Sequence, residues 1–321
     1  MKSLAHCLTL LSTIAISIAA NLPAQAQRAR VFVSVNGDDA NPCTGGSPCK
    51  TFQHAHDVVL AGGEISVLNT GGYGTLTITK AISIVVPAGI EAAIATPAAG
   101  TAITIQAQPS DVVSLRGLML DGNGLASFGI SFQSGGSLEI VDCNVRSFQS
   151  TGTSVQSATP TSVMISNTNI TNNRSISPVY GMYLDAFNAG GTIMATLDNV
   201  TFNNNGRALQ INAVSAPVEV QISNSHIDSS ADYGLGVGSG FATAASSAVL
   251  RYVTFNQTPT AIGVFGNGTV WLSQITQTAA PSFPSSAGII FSNSNNAAYS
   301  DGTNRLMGAI TGGTLQLWTQ Q

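Results

Sequence analysis

From residue 102 onward, apolar and polar residues alternate in short bursts that return at a regular interval. A small residue followed by an apolar-x-apolar triplet recurs as AITI (102–105), GISF (129–132), GMYL (181–184), ALQI (208–211), GLGV (234–237), AIGV (261–264) and GIIF (288–291). A weaker copy falls around Val155. Between these triplets runs a second series: VSLRGLML (113–120), LEIVDCNV (138–145), VMISNTNI (163–170), ATLDNVTF (195–202), VQISNSHI (220–227) and AVLRYVTF (248–255). Aligning Leu115, Ile140, Ile165, Leu197, Ile222 and Leu250 places further apolar residues mostly three and five positions on. A period of two with many β-branched residues predicts strands and disfavours a helical-repeat solenoid, whose period is 3.6. The near-constant spacing disfavours an antiparallel sandwich.

Three short strands per repeat suit a coil in which each strand pairs in parallel with its counterpart one turn away, at about 4.8 Å. The predicted fold class is therefore all-β, a single-stranded right-handed parallel β-helix. Asn167, Asn199 and Asn224 stand at the bend of the second series, where asparagine tolerates the left-handed backbone and stacked amides can bond along the row. Such a coil needs its ends covered. Residues 51–60 predict a short N-terminal capping helix, with Thr51 as N-cap and Phe52, Ala55 and Val59 on one apolar face. The expected organisation is an export signal at 1–26, an N-terminal cap at 27–62, coils over 63–302 and a C-terminal strand or cap at 303–321.

Only 8% of the 321 residues are charged and 44% are hydrophobic, which excludes disorder. No basic stripe exists to meet phosphates, so nucleic acid is not an expected partner. Lys2, the apolar run 8–20 and the small-x-small site Ala24-Gln25-Ala26 predict a signal peptide cleaved after Ala26. The expected location is secreted or periplasmic, with no transmembrane segment. Cys7 precedes the apolar run, the wrong side for a lipid-anchor cysteine. Cys43 and Cys49 flank TGGSP and favour a disulfide in an oxidising compartment; a metal pair is the alternative, with no second ligand pair at zinc-like spacing. Cys143 points inward and reads as a small buried hydrophobe.

The segment VFVSVNGDDANPC…SPCKTFQHA…AGGEISVLNTGGYGTLTI (31–78) resembles the N-terminal block of secreted bacterial right-handed β-helix proteins of the pectin-lyase-like superfamily. The matching residues are Gly37, Asp39, Asn41, Pro42, Pro48, Lys50, Thr51, Phe52, Gly63, Glu64, Gly72 and Tyr73. The resemblance implies the β-helix fold, and in its pectin-cleaving members charged groups lie on or beside the first strand row. Its members include lyases, hydrolases, esterases, tailspikes and non-catalytic surface proteins, so it names no reaction.

Outward residues of the triplet row are Thr104, Ser131, Tyr183, Gln210, Gly236, Gly263 and Ile290, followed by Gln106, Gln133, Asp185, Asn212 and Gly238. One carboxylate appears and no cation. Cleaving a uronate by elimination needs a base and cations, and hydrolysis needs two carboxylates at a set distance. No catalytic set, cofactor or metal is therefore expected. Gln133, Tyr183, Asp185, Gln210 and Asn212 form the candidate ligand-binding group, offering an aromatic face and hydrogen-bonding groups to a sugar. The competing reading is a solvated polar face. His226 and Asp228 are a secondary candidate, at positions where neighbouring coils carry Thr201 with Asn203 and Thr254 with Asn256. Arg116, Asp121, Glu139 and Arg146 predict a surface ion-pair patch. His54, His56 and Asp57 do not converge on a helix. Asn36, Asp38 and Asp39 read as a turn around Gly37. The leading expectation is an exported β-helix binding a glycan or surface, with an extracellular or cell-envelope polysaccharide as partner. The alternatives are a polysaccharide-active lyase or hydrolase with a non-standard site, and a purely structural or adhesive module.

Overall fold

Each repeat folds into three short strands, and each strand pairs in parallel with its counterparts in the adjacent turns. The computed structural model describes residues 28–174, 179–278, 287–293 and 296–318; the expected signal at 1–26, with Lys2 and Cys7, lies outside these. Among the described residues three long sheets result: a first face of ten strands carrying the triplets, a second of twelve and a third of nine. The chain is thus a parallel β-solenoid with very few helices.

The register follows the apolar columns. Leu115, Ile140, Ile165, Leu197, Ile222 and Leu250 pair in succession along the second face. On the first face Phe132, Val155, Leu184, Ile211, Val237 and Val264 do the same, so the weak copy around Val155 takes its place in the row. All twelve side chains are buried. Strands such as Ile193–Asp198 and Val218–Ser223 alternate buried and exposed positions, as period-two burial requires. Slipping one strand by a residue would turn its whole apolar set outward.

Bends between the second and third faces use the left-handed backbone at Asp142, Asn167, Asn199 and Asn224, with φ of 55°, 49°, 54° and 50°. Asn199 Nδ2 donates to Asn167 Oδ1 at 2.8 Å, and Asn167 Nδ2 to Asp142 Oδ1 at 3.2 Å. Asn224 leaves this ladder and donates to Asp198 Oδ1 at 2.7 Å. One position beyond the bend lies a buried column that includes Cys143, Thr168 and Ser225. Each accepts a backbone N–H from the preceding turn: Leu118 to Cys143 Sγ at 3.4 Å, Cys143 to Thr168 Oγ1 at 3.3 Å, Val200 to Ser225 Oγ at 3.1 Å. Cys143 Sγ also donates to Val141 O at 3.3 Å. The cysteine is buried as expected, but it serves as a weak polar group where two other turns of the column, at Thr168 and Ser225, use hydroxyls.

The helix spans Phe52–Val58, with Thr51 Oγ1 accepting from the His54 N–H at 3.2 Å. It ends before the expected residues 59–60 because Val59 turns extended and begins the strand Val59–Val67, pairing with Arg28. Phe52 and Ala55 are buried, and the Phe52 ring lies 5.1 Å from that of Tyr73. Cys43 and Cys49 are joined in a disulfide. Asp39 Oδ1 accepts from the N–H groups of Lys50 and Thr51, at 2.9 and 3.0 Å, and Oδ2 from the Thr51 hydroxyl at 2.8 Å. Burial opposes ionisation there, yet these bonds hold its carboxyl below the usual range. Asp39 therefore ties the loop to the helix start. Among the described residues, no helix is long and apolar enough to cross a membrane.

The bend column makes a prediction about Cys143. Replacement by alanine strips the Leu118 N–H of its acceptor and should cost about 1–3 kcal/mol, whereas Cys143→Ser should stay within about 1 kcal/mol of wild type by denaturant unfolding. Burial pushes the thiol up to about 11, so a thiol-blocking reagent should label Cys143 only after unfolding. Rapid native labelling would contradict the burial.

Candidate functional site

Three outward columns of the first face converge between residues 180 and 265. Tyr180 and Arg207 pair in one column; Tyr183, Gln210, Gly236 and Gly263 follow one another in the next; Asp185 and Asn212 pair in the third. Side chains in one column repeat at about the strand spacing of 4.8 Å. They form a grid whose floor is bare at the two glycines. A Cβ at Gly236 would clash with the Gln210 carboxamide, and one at Gly263 would sit 2.6 Å from the Phe265 ring. Both glycines are there to let a neighbour's side chain lie across the strand. Val214, Ser239, Gly240 and Phe241 build the wall. The result is an open cleft with a cavity volume of about 550 Å³.

Four of the five residues in the leading candidate group meet in this cleft. Asn212 Nδ2 donates to Tyr183 Oη at 3.0 Å and to Asp185 Oδ1 at 3.2 Å, and Tyr183 Oη donates to Asp185 Oδ2 at 3.3 Å. Ser239 Oγ closes the network onto Asn212 Oδ1 at 2.6 Å. Gln210 Nε2 donates to the carbonyls of Gly238 and Ile211, at 2.8 and 3.1 Å. Asp185, Gln210 and Asn212 are only 6%, 6% and 7% exposed, so this part of the row is not the freely solvated face of the competing reading. Burial raises the Asp185 carboxyl above its ordinary value. Burial, with the Asp185 charge second, pushes Tyr183 up to about 12. Gln133 lies outside: its strand is two turns before Tyr180–Asp185, and it accepts from Gln106 Nε2 at 2.8 Å.

The cleft also holds residues absent from the outward row read from sequence. Arg207 sits between two rings, its Cζ 5.0 Å from the Tyr233 centroid and 5.8 Å from that of Tyr180. Its Nε and Nη2 both reach Asp232 Oδ2 at 2.8 Å. Burial alone would weaken its charge, but the Asp232 hydrogen bond and charge outweigh that and raise its pKa. Tyr180 and Tyr183 lie 5.0 Å apart, and Tyr233 meets Phe265 edge-on at 5.3 Å. Phe241, 89% exposed, projects from the wall. The row itself carries no cation, as read from the sequence; Arg207 stands one column over, at a strand start just before the small residue Ala208.

His226 and Asp228 occupy the third face, paired with Thr201 and Thr254, and with Asn203 and Asn256. His226 is exposed, and Asp228 Oδ1 accepts from Asn256 Nδ2 at 2.7 Å. The ion pairs fall into two groups rather than one patch: Arg116 with Glu139 and Asp142, at 3.8 and 3.6 Å, and Arg146 with Asp121 at 2.9 Å. His56 is buried, its Nε2 accepting from the Thr79 N–H at 3.2 Å; contrary to the expectation that the three groups stay apart, its Nδ1 lies 3.1 Å from Asp57 Oδ1. Among the described residues, the one group of possible metal ligands is Cys43, Cys49 and His54, and its two sulfurs are joined to each other. In the cleft, aromatic faces stand beside amides and one buried carboxyl. That combination binds a polyhydroxylated ring well.

No protein-family model matches this sequence, and no curated protein matches it significantly. Solved structures do share its architecture. Pectate lyase Pel9A is 14% identical with a TM-score of 0.59, over 90% of this chain and 78% of that one. An alginate lyase from a Paenibacillus species is 14% identical with a TM-score of 0.59, over 90% of this chain and 100% of that one. What this chain shares with them is the parallel β-helix fold.

Asp185 gives the cleft a pH signature. Its folded pKa lies above the unfolded value of about 3.9, so its contribution to stability is fully present below that value and is lost as pH rises through the folded pKa. Asp185→Asn does not titrate. Its melting temperature relative to wild type should therefore be higher at neutral pH than near pH 3. A difference independent of pH would show that the carboxyl is not held in a desolvating site.

Proposed function

We propose that this protein is an exported β-helix that binds an extracellular or cell-envelope polysaccharide in the first-face cleft. The observation that carries the reading is the meeting of Tyr183, Asp185, Gln210 and Asn212 in one concavity ringed by Tyr180, Tyr233, Phe241 and Phe265. Aromatic rings pack on the C–H face of a pyranose, and amides and a carboxyl bond its hydroxyls. Its volume suits a short glycan segment. The likeness to polysaccharide lyases supports a polysaccharide partner. The Cys43–Cys49 disulfide supports an oxidising compartment, in keeping with the expected signal at 1–26. In this reading residues 27–62, with the helix Phe52–Val58, close the N-terminal end of the coil.

A second reading, a polysaccharide lyase or hydrolase with an unfamiliar site, is favoured by one observation. Asp185 is a buried carboxyl with a raised pKa, in contact with Tyr183 inside a cleft, an arrangement common at catalytic sites.

A glycan array combined with a product assay separates the two. Wild type should be retained on at least one polysaccharide without releasing reducing ends or unsaturated products. Tyr183→Ala should weaken retention by roughly tenfold, the scale of losing one aromatic contact. His226→Ala, on the third face, should leave it unchanged. Turnover abolished in Asp185→Asn would establish the second reading. Neither retention nor turnover would overturn both and leave a structural role.

A further inference from the structure

We infer that the cleft is built for an uncharged glycan, and that Asp232 enforces this by masking Arg207. The inference rests on the glycan-binding reading and names the class of sugar that the site takes.

The charges around the cleft do not suit a polyuronate. Arg207 is the one cation lining it among the described residues, and Asp185 the one carboxylate. The Nε/Nη2 edge of Arg207 is not available to a ligand carboxylate, and its charge is already paired. A guanidinium grips a carboxylate best with two donors side by side, and its Nε and Nη2 are both committed to Asp232 Oδ2 at 2.8 Å. Its flat faces are covered by Tyr180 and Tyr233, and Nη1 leans on Tyr180 Oη at 3.5 Å. The side chain is 26% exposed, so it is held in place rather than sweeping the cleft. Asp232, whose side chain is 48% exposed, therefore adds a second carboxylate at the rim. An entering uronate meets two carboxylates and a guanidinium already paired.

The remaining groups offer oxygen acceptors to sugar hydroxyls and no uncommitted amide donor to a ligand carboxylate. The N–H groups of Gln210 and Asn212 and the hydroxyl of Ser239 are spent on one another, on Tyr183 and Asp185 and on backbone carbonyls. Among the described residues, no positive cluster or lysine lines the cleft to replace the solvation of a ligand carboxylate. The net charge of −4 adds a weak long-range repulsion of polyanions. Glycan selectivity is thus set by a negative rim and an engaged cation. The aromatic faces accept either kind of ring, so they do not decide it.

The test uses pairs of polysaccharides that differ only at C6. Galacturonan, mannuronan and glucuronan oligomers are each compared with their carboxyl-reduced counterparts, alongside neutral plant and bacterial glycans. The full mature chain is measured at low and physiological salt. Wild type should prefer the neutral member of a pair by roughly tenfold, the scale of one like-charge contact near the protein surface, and the preference should shrink as salt is added. Asp232→Asn unmasks Arg207 and should raise uronate affinity by roughly tenfold while leaving neutral binding within about twofold. Arg207→Gln should move the other way and lower uronate affinity further. Opposite signs from two substitutions in one ion pair are not produced by a general loss of folding. Wild type that holds the uronate member as tightly as the neutral one would overturn this inference and leave the proposed function standing. So would an Asp232→Asn variant with unchanged preference. Retention of no glycan at all would remove the proposed function, and this inference with it.

Discussion

A strand in one turn bonds its N–H and C=O groups to the turns on either side, so no turn can slip by a residue without exposing its apolar set. That constraint stacks equivalent residues into columns about 4.8 Å apart. Inside the coil the columns are Leu, Ile, Val and Phe, as in the row from Leu115 to Leu250. At the bends they are left-handed Asn and Asp residues whose amides bond along the axis. Outside, the same stacking places Tyr183 beside Gln210, and Asp185 beside Asn212. The candidate site is thus a by-product of backbone pairing, with its spacing set before any side chain is chosen.

Stacking also explains how so many polar groups are buried. Asn173 and Asn205 are fully buried, yet Asn173 Nδ2 donates to Asn205 Oδ1 at 3.0 Å and Asn205 Nδ2 to the Ile170 carbonyl at 2.8 Å. The Cys143, Thr168 and Ser225 column answers backbone groups in the same way. In the cleft the network of Ser239, Asn212, Tyr183 and Asp185 follows this pattern on the outer surface. A polar group held by its column is pre-oriented, and a ligand that bonds to it meets little further ordering cost.

Columns are what a sequence displays most directly, which is why the faces, bends and inward position of Cys143 were legible. The parity rule also brought out Tyr183, Asp185, Gln210 and Asn212. It failed at strand starts. In Tyr180–Asp185 both Gly181 and Met182 are buried, so alternation breaks at that corner and Tyr180 points outward alongside Tyr183. Arg207 and Tyr233 stand at the same corner, before Ala208 and Gly234. The small residue was visible; that it marks a doubled inward step was not. Gln133 fell the other way: it shares the outward parity but sits two turns before the cleft, and parity alone does not say where along the row a cleft begins. Phe241 lies in the loop 238–245, outside any strand, so no column could place it.

A solenoid that gives every turn the same outline offers no concavity by itself; a site must come from departures in shape, not merely in residue type. His226 and Asp228 depart in type alone: their backbone pairs in register with threonines and asparagines on both sides, and the face stays flat. The cleft departs in shape at two places together. Gly236 and Gly263 remove side chains from the floor, so that Gln210 and Phe265 can lie across it. Next to them the wall from Val214 to Phe241 rises above the sheet. Removing bulk in one column while adding it in the next creates depth while Gln210, Gly236 and Gly263 keep their inter-turn register. That is the least disruptive way for a chain bound by strict stacking to acquire a binding surface, and it separates the first-face cleft from every isolated polar pair on the other two faces.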